Sequence, residues 1–305
     1  SGVAVANGSA YFTGSSDVLE VSTDGGSSQS LVPGHGYAGA LATDGNDLFV
    51  ACATGQVVRA PLDGGTPVDI AHGRHPYTLA VGAGDVYWGD FSADFVASTP
   101  IGGGATVTLA DQFYTPIAVA ADSQNVYWVD YAGILKVGVD GGTITTLSTE
   151  GPVDGVGVHI AVDSANVYWT YAGTEAANYA DGTVSQVPVG GGPAVTLASS
   201  RFQPSGILVS GGNVYWADID AIASVPIGGG TPTTLVTGSS STVLATDGTD
   251  LYWASFGGTL AKISISGGTP QTLATGYVAS WPGLVLLGNS VYWSSNAGVH
   301  KYTPK

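Results

Sequence analysis

An aromatic pair preceded by Val or Leu recurs through this sequence of 305 residues. It stands at Val86-Tyr87-Trp88, Val126-Tyr127-Trp128, Val167-Tyr168-Trp169, Val214-Tyr215-Trp216, Leu251-Tyr252-Trp253 and Val291-Tyr292-Trp293. Tyr11-Phe12 and Phe49-Val50 hold the same place in two degenerate copies. The second member of the pair advances from position 12 in steps of 38, 38, 40, 41, 47, 37 and 40 residues. A steady period of about 40 residues restricts a chain to small units that stack or close radially and bury a face on each neighbour.

Each unit carries four short β-type runs, here a to d. In the fourth unit, Ile117–Ala120 is run a, and Asp122-Ser123-Gln124-Asn125 is a turn made by residues that bond their own backbone. Val126–Trp128 is run b, Tyr131-Ala132-Gly133 breaks it, and Ile134–Val139 is run c. Asp140-Gly141-Gly142 is a tight turn in which Gly supplies positive φ, and Thr143–Leu147 is run d. β-branched and aromatic residues fill the runs, and no stretch holds a 3.6-residue period, so no substantial helix is expected. The Gly-Gly turns each lead into a strand, which rules them out as phosphate loops. Four antiparallel strands per period indicate an all-β chain folded as one β-propeller domain spanning 1–305. Runs a, b and c occur eight times and run d seven times. Eight blades are therefore expected, the last without its outer strand. Seven blades with extra edge strands is the alternative.

Composition narrows the setting. The net charge of −16 repels phosphate backbones, so nucleic acid is not an expected partner. No run of 18 apolar residues suggests a membrane span. The single cysteine, Cys52, lies between Ala51 and Ala53 and reads as a small buried hydrophobe. The Ser/Thr/Gly-rich, Lys-poor sequence opens on Ser1. These features suggest a bacterial protein that is secreted, cell-surface or periplasmic, trimmed from a precursor and monomeric.

The stretch Val126 to Leu147 resembles the YWTD repeat of lipoprotein-receptor-type propellers. Its Tyr-Trp-x-Asp core is matched at Tyr87–Asp90, Tyr127–Asp130 and Tyr215–Asp218. The basic residue of the third strand is matched by Arg59, Lys136, Lys262 and Lys301, and the Leu-Asp-Gly turn by Leu62-Asp63-Gly64. That family usually has six blades, and the Asp is missing from repeats five, seven and eight. A weaker resemblance, to virginiamycin B lyase-type propellers, implies catalytic histidines, but those cannot be matched position by position.

Antiparallel pairing places the a–b and c–d turns on one face and the b–c and d–a loops on the other. The first set is regular. Its acids, Asp44, Asp47, Asp122, Asp163, Asp247 and Asp250, read as turn formers rather than calcium ligands. The second set is irregular, as functional loops are. Its candidate ligand-binding residues are His35, Tyr37, His72, Arg74, His75, Tyr77, Tyr114, Tyr131, Tyr171, Arg201, Phe202 and Trp281, with His159 on an innermost strand. Two insertions, at 150–157 and 173–181, fall on the same face. No third ligand joins His72 and His75, so neither a metal nor another cofactor is expected. The basic series is read as pairing with Asp residues of neighbouring blades. The motif tryptophans are expected to wedge between blades. The sequence thus points to an exported binding or scaffold protein that uses the d–a/b–c loop face, with a carbohydrate or a peptide or protein as ligand. The alternative is a lyase or hydrolase with a histidine at the central channel.

Overall fold

The computed structural model is built almost wholly from β-strands. It describes all residues except 1–2, 7–8, 14–17, 23–28, 33–37, 64, 112–113, 151–157, 278–282, 288–289, 296–297 and 304–305. The only helical element among the described residues is the 3-10 turn Glu175–Ala177. The chain divides into two compact units, Ser1–Gly151 and Pro152–Lys305. The first holds four four-stranded sheets, and the second holds three four-stranded sheets and one of three strands. Every four-stranded sheet is an antiparallel meander in chain order, the blade of an all-β propeller.

The expectation of eight blades is corrected to seven. Seven sheets carry the complete four-stranded order. Leu284–Leu287, Ser290–Ser295 and Gly298–Tyr302 form a three-stranded sheet instead. The outer strand of a blade is created by the Gly-rich c–d turn and the run that follows it. The sequence supplies that pair seven times, so no fourth strand is added to the last sheet among the described residues.

Blade 3 shows how sequence becomes geometry. Its strands are Pro76–Gly82, Asp85–Asp90, Phe95–Pro100 and Val107–Asp111. Successive side chains on a strand point to opposite faces, so Tyr87 and Trp88 enter different spaces between sheets. Trp88 joins a buried cluster with Phe49, Val57 and Ile70 of blade 2. Tyr87 joins the next cluster, with Trp128 and Leu135 of blade 4. The same exchange repeats in the second unit, where Tyr168 meets Trp216, Tyr215 meets Trp253 and Tyr252 meets Trp293. All six motif tryptophans are at most 4% exposed, as expected of packing wedges. Within the first unit the innermost strand of blade 3 packs on those of blades 2 and 4, Ala38–Thr43 and Ala118–Ala121.

Four of the six turn acids, Asp44, Asp122, Asp163 and Asp247, accept N–H groups of their own turns, whereas the side chains of Asp47 and Asp250 pair with basic residues instead. Asp122 Oδ1 accepts the N–H groups of Gln124 and Asn125, each at 2.7 Å, and its Oδ2 accepts the Tyr127 hydroxyl at 2.7 Å. Asp163 and Tyr168 repeat the arrangement at 2.8 Å, and Asp247 and Tyr252 at 2.9 Å. The tyrosine of the aromatic pair therefore closes the turn five residues before it. Burial and its aspartate push the Tyr168 hydroxyl up to about 12. The basic series pairs differently from the expectation. Arg59 forms an ion pair with Asp47 at 2.9 Å, and Lys262 donates to Asp250 at 2.7 Å, each within its own sheet. Register explains this, because Arg59 lies opposite Phe49 and Lys262 opposite Tyr252, one diagonal step from the acid on the same face. Cys52 is buried, with its thiol pushed up to about 12 by desolvation.

Candidate functional site

The loop face begins with Asp90, the acid that closes Tyr-Trp-x-Asp in blade 3. Its side chain is fully buried. Oδ2 accepts the N–H groups of Arg74 at 2.6 Å and His75 at 2.9 Å, from the d–a loop. Oδ1 accepts those of Ser92 at 3.0 Å and Ala93 at 2.8 Å, from the b–c loop. One carboxylate thus pins two loops, and the Phe91 N–H adds a bond to the His75 carbonyl at 3.0 Å. Gly73 is needed where the d–a loop passes over this network. A Cβ there would meet the Asp90 carboxylate and stand 2.8 Å from the Trp88 ring.

On this fixed base sits an aromatic cluster. The ring centroids of Tyr77 and Phe91 are 5.5 Å apart, and those of His75 and Phe91 5.8 Å. Interplanar angles of 55° and 70° make the group angular rather than flat. Tyr77 is 42% and Phe91 41% exposed, so both rings face water, Tyr77 from the first strand and Phe91 from the b–c loop. Tyr114 and Tyr131, of the adjacent blade's loops, are also exposed. Arg74 and His72 are exposed, while His75 is half-buried against the two rings.

The second unit repeats the loop plan with different residues. The Ile219 N–H bonds the Phe202 carbonyl at 3.1 Å, as Phe91 bonds His75. Arg201 and Phe202 therefore stand at the repeat positions of Arg74 and His75. Arg201 is not displayed. Its Nε donates to Asp218 at 2.9 Å, its terminal nitrogen donates to the same oxygen, and its guanidinium lies 5.5 Å from the centre of the Trp216 ring. Trp216 Nε1 donates to the other Asp218 oxygen at 2.9 Å. Burial raises the Asp218 carboxyl, and Arg201 opposes the shift. Phe202 is exposed, and Tyr171 is half-buried.

The insertion at 173–181 is a built loop. Thr174 caps its 3-10 turn, and Asp181 closes it by accepting the Thr174 N–H at 2.6 Å and hydroxyl at 2.8 Å. Gln203 N–H bonds the Tyr179 carbonyl at 3.1 Å, tying the insertion to the Phe202 loop. His159 is exposed at the entry to the first strand of blade 5, where its N–H reaches Thr170 Oγ1 at 3.2 Å. Although water reaches this residue, the surrounding protein partly desolvates the imidazole and lowers its pKa. His35, Tyr37, Trp281 and most of the 150–157 insertion lie outside the described residues.

The sequence reading missed two features. One is Asp90 as the organiser of the loops, signalled only by its recurrence at one motif position. The other is His300, whose Nε2 lies 2.7 Å from Ser295 Oγ and whose ring centroid is 4.1 Å from that of Tyr277. Among the described residues no group of three or more His, Cys, Asp or Glu is placed to hold a metal ion, and no helix is long and apolar enough to cross a membrane.

No family model matches the chain, and no curated protein sequence matches it. Its fold is similar to that of solved structures. The computationally designed Ika8 protein superposes with a TM-score of 0.80 at 15% identity, over 99% of this chain and 95% of that one. Virginiamycin B lyase from Staphylococcus aureus gives 0.59 at 13% identity, over 100% and 94%. A chain of a nidogen–laminin complex gives 0.53 at 20% identity, over 72% and 89%. At these identities the likeness is one of fold.

Proposed function

We propose that this protein is an exported, monomeric binding protein, one YWTD-like propeller domain over 1–305. In this reading the loop surface around His75, Tyr77 and Phe91 engages an apolar side chain of a peptide or protein. The observation that supports it is the angular, exposed aromatic group held where a strand end meets the loops pinned by Asp90. Rings set at 55° to 70° form a notch for an inserted side chain. A sugar ring is better served by a flat, open aromatic face. Exposed Tyr, Phe and Arg are also the residue types enriched at protein interfaces. Panning a random peptide library against the whole chain tests this. Selected peptides should share an aromatic or large aliphatic residue and lose binding to Tyr77→Ala and Phe91→Ala. Peptides that bind both variants equally, or a glycan array that yields the only ligands, would overturn it.

A second reading, a lyase or hydrolase, rests on His159. Its exposed imidazole has a lowered pKa and so stands neutral near pH 7, ready to accept a proton. Among the proteins of similar fold is a lyase. A substrate screen whose hits survive unchanged in His159→Ala removes this reading.

A further inference from the structure

Blade 7 breaks the motif where blades 3 and 6 keep it. Its aromatic strand ends Tyr252-Trp253-Ala254-Ser255, so a serine stands where Asp90 and Asp218 stand. Strand register fixes the equivalence, because Ser255 pairs with Ser241 as Asp90 pairs with Pro76. The Phe256 N–H bonds the Ser240 carbonyl at 2.9 Å, as Phe91 bonds His75. Ser239 and Ser240 are therefore the counterparts of Arg74 and His75. In blade 3 the carboxylate of Asp90 fills the space between these loops and takes both N–H groups of the d–a loop. Ser255 is too short to do so, and its hydroxyl accepts the Thr259 N–H of its own loop at 3.0 Å.

The space is open. A cleft of about 400 Å³ lies here, lined by Ser239, Ser240, Trp253, Ser255, Thr259 and Thr237 among others, with no charged side chain on its wall. That is within the usual range for a small-molecule site. Ser239 is only 4% exposed, yet its hydroxyl has no hydrogen-bond partner. A buried hydroxyl left unpaired costs free energy that a ligand can recover. Trp253 stands in the place of Trp216, whose indole N–H donates to Asp218, but has no carboxylate two residues on.

We propose that this cleft binds a carboxylate-bearing small molecule. Its carboxylate would occupy the place of the missing aspartate side chain and accept from the N–H groups of Ser239 and Ser240 and from the Ser239 hydroxyl. In blade 3 the N–H groups at these two loop positions, Arg74 and His75, converge on a carboxylate, and the serine and threonine hydroxyls along the cleft suit a polar body attached to it. The protein's net charge of −16 opposes anions at long range, but beyond about 8 Å that field is screened at physiological salt. The site uses none of the residues of the aromatic notch, so either reading can fail without the other.

The test is calorimetry and thermal melting of the whole chain with acetate, D-glucuronate and, as the uncharged control, D-glucose. Saturable binding of acetate and glucuronate but not glucose is expected, with a rise in Tm. Ser255→Asp should place the missing carboxylate within the chain, raise Tm without ligand and weaken glucuronate binding about tenfold or more. Should that variant not fold, Ser239→Ala, which removes one hydroxyl, has to weaken glucuronate binding several-fold. Glucose binding as tightly as glucuronate, no saturable binding of either carboxylate, or folded Ser255→Asp binding glucuronate like the parent would each overturn the proposal.

Discussion

Tyr87 of blade 3 and Trp128 of blade 4 lie in one buried cluster, each fully shielded from water, while Trp88, next to Tyr87 in the chain, faces the opposite cluster. One dipeptide therefore serves two interfaces, and the repetition of the pair is the repetition of that double role. Trp128→Ala should destabilise the protein by about 3–5 kcal/mol, because a large cavity opens between packed sheets. Tyr131→Ala, only three residues on but 40% exposed, should stay within about 0.5 kcal/mol of the parent. Urea denaturation of both variants checks the contrast.

Asp90→Asn keeps the shape of the side chain but turns one acceptor into a donor facing backbone N–H groups. Four N–H bonds to a buried carboxylate are at stake. A loss of about 2–3 kcal/mol is expected. Amide hydrogen exchange at Arg74 and His75 should accelerate more than at strand centres. Unchanged exchange there would show that the carboxylate does not hold the loop.

Arg201→Met leaves the buried Asp218 carboxylate with the hydrogen bond from the Trp216 N–H at 2.9 Å, and a cost of about 3–5 kcal/mol is expected. Burial already raises the Asp218 carboxyl above its ordinary 3.8, and losing the guanidinium raises it further. A raised folded-state value favours the fold below the unfolded value, and that advantage is lost as pH rises through the folded one. The cost of Arg201→Met should therefore grow with pH from about 4 towards 7, and urea titrations across that range measure it. The double variant Arg201→Met/Asp218→Asn should recover part of the loss.

Desolvation lowers the imidazole pKa of His300 below 6.5, so protonation favours the unfolded chain. The stability it contributes is complete above about 6.5 and falls away as pH drops through its folded value. His300→Gln should flatten part of that acid decline. Thermal melts in steps between pH 7.5 and 5 read the slope. Equal slopes in parent and variant would contradict the assignment.

The repeat, the strand runs, the turn acids and the burial of the motif tryptophans were legible because each follows from local rules: period, side-chain alternation and turn chemistry. The candidate site was legible only as a face. Arg74 and Arg201 look alike in sequence, as scarce cations in equivalent loops. The structure leaves Arg74 exposed and lays Arg201 on Asp218. Both strands present an aspartate at that position, but backbone N–H groups take up Asp90 whereas the guanidinium takes up Asp218, and the sequence does not show which donors reach the carboxylate.

By itself the sequence determined the blade and its multiplicity of runs, because a strand's alternation and a glycine turn are properties of a few adjacent residues. Only the tertiary structure decided that seven sheets are complete, that Arg59 and Lys262 pair within their own sheets, and that Asp90 fills a niche which Ser255 leaves open. Those outcomes depend on register and on groups about 15 residues apart in the chain meeting in space, as Arg74 and Asp90 do, and no local pattern encodes which of them will meet.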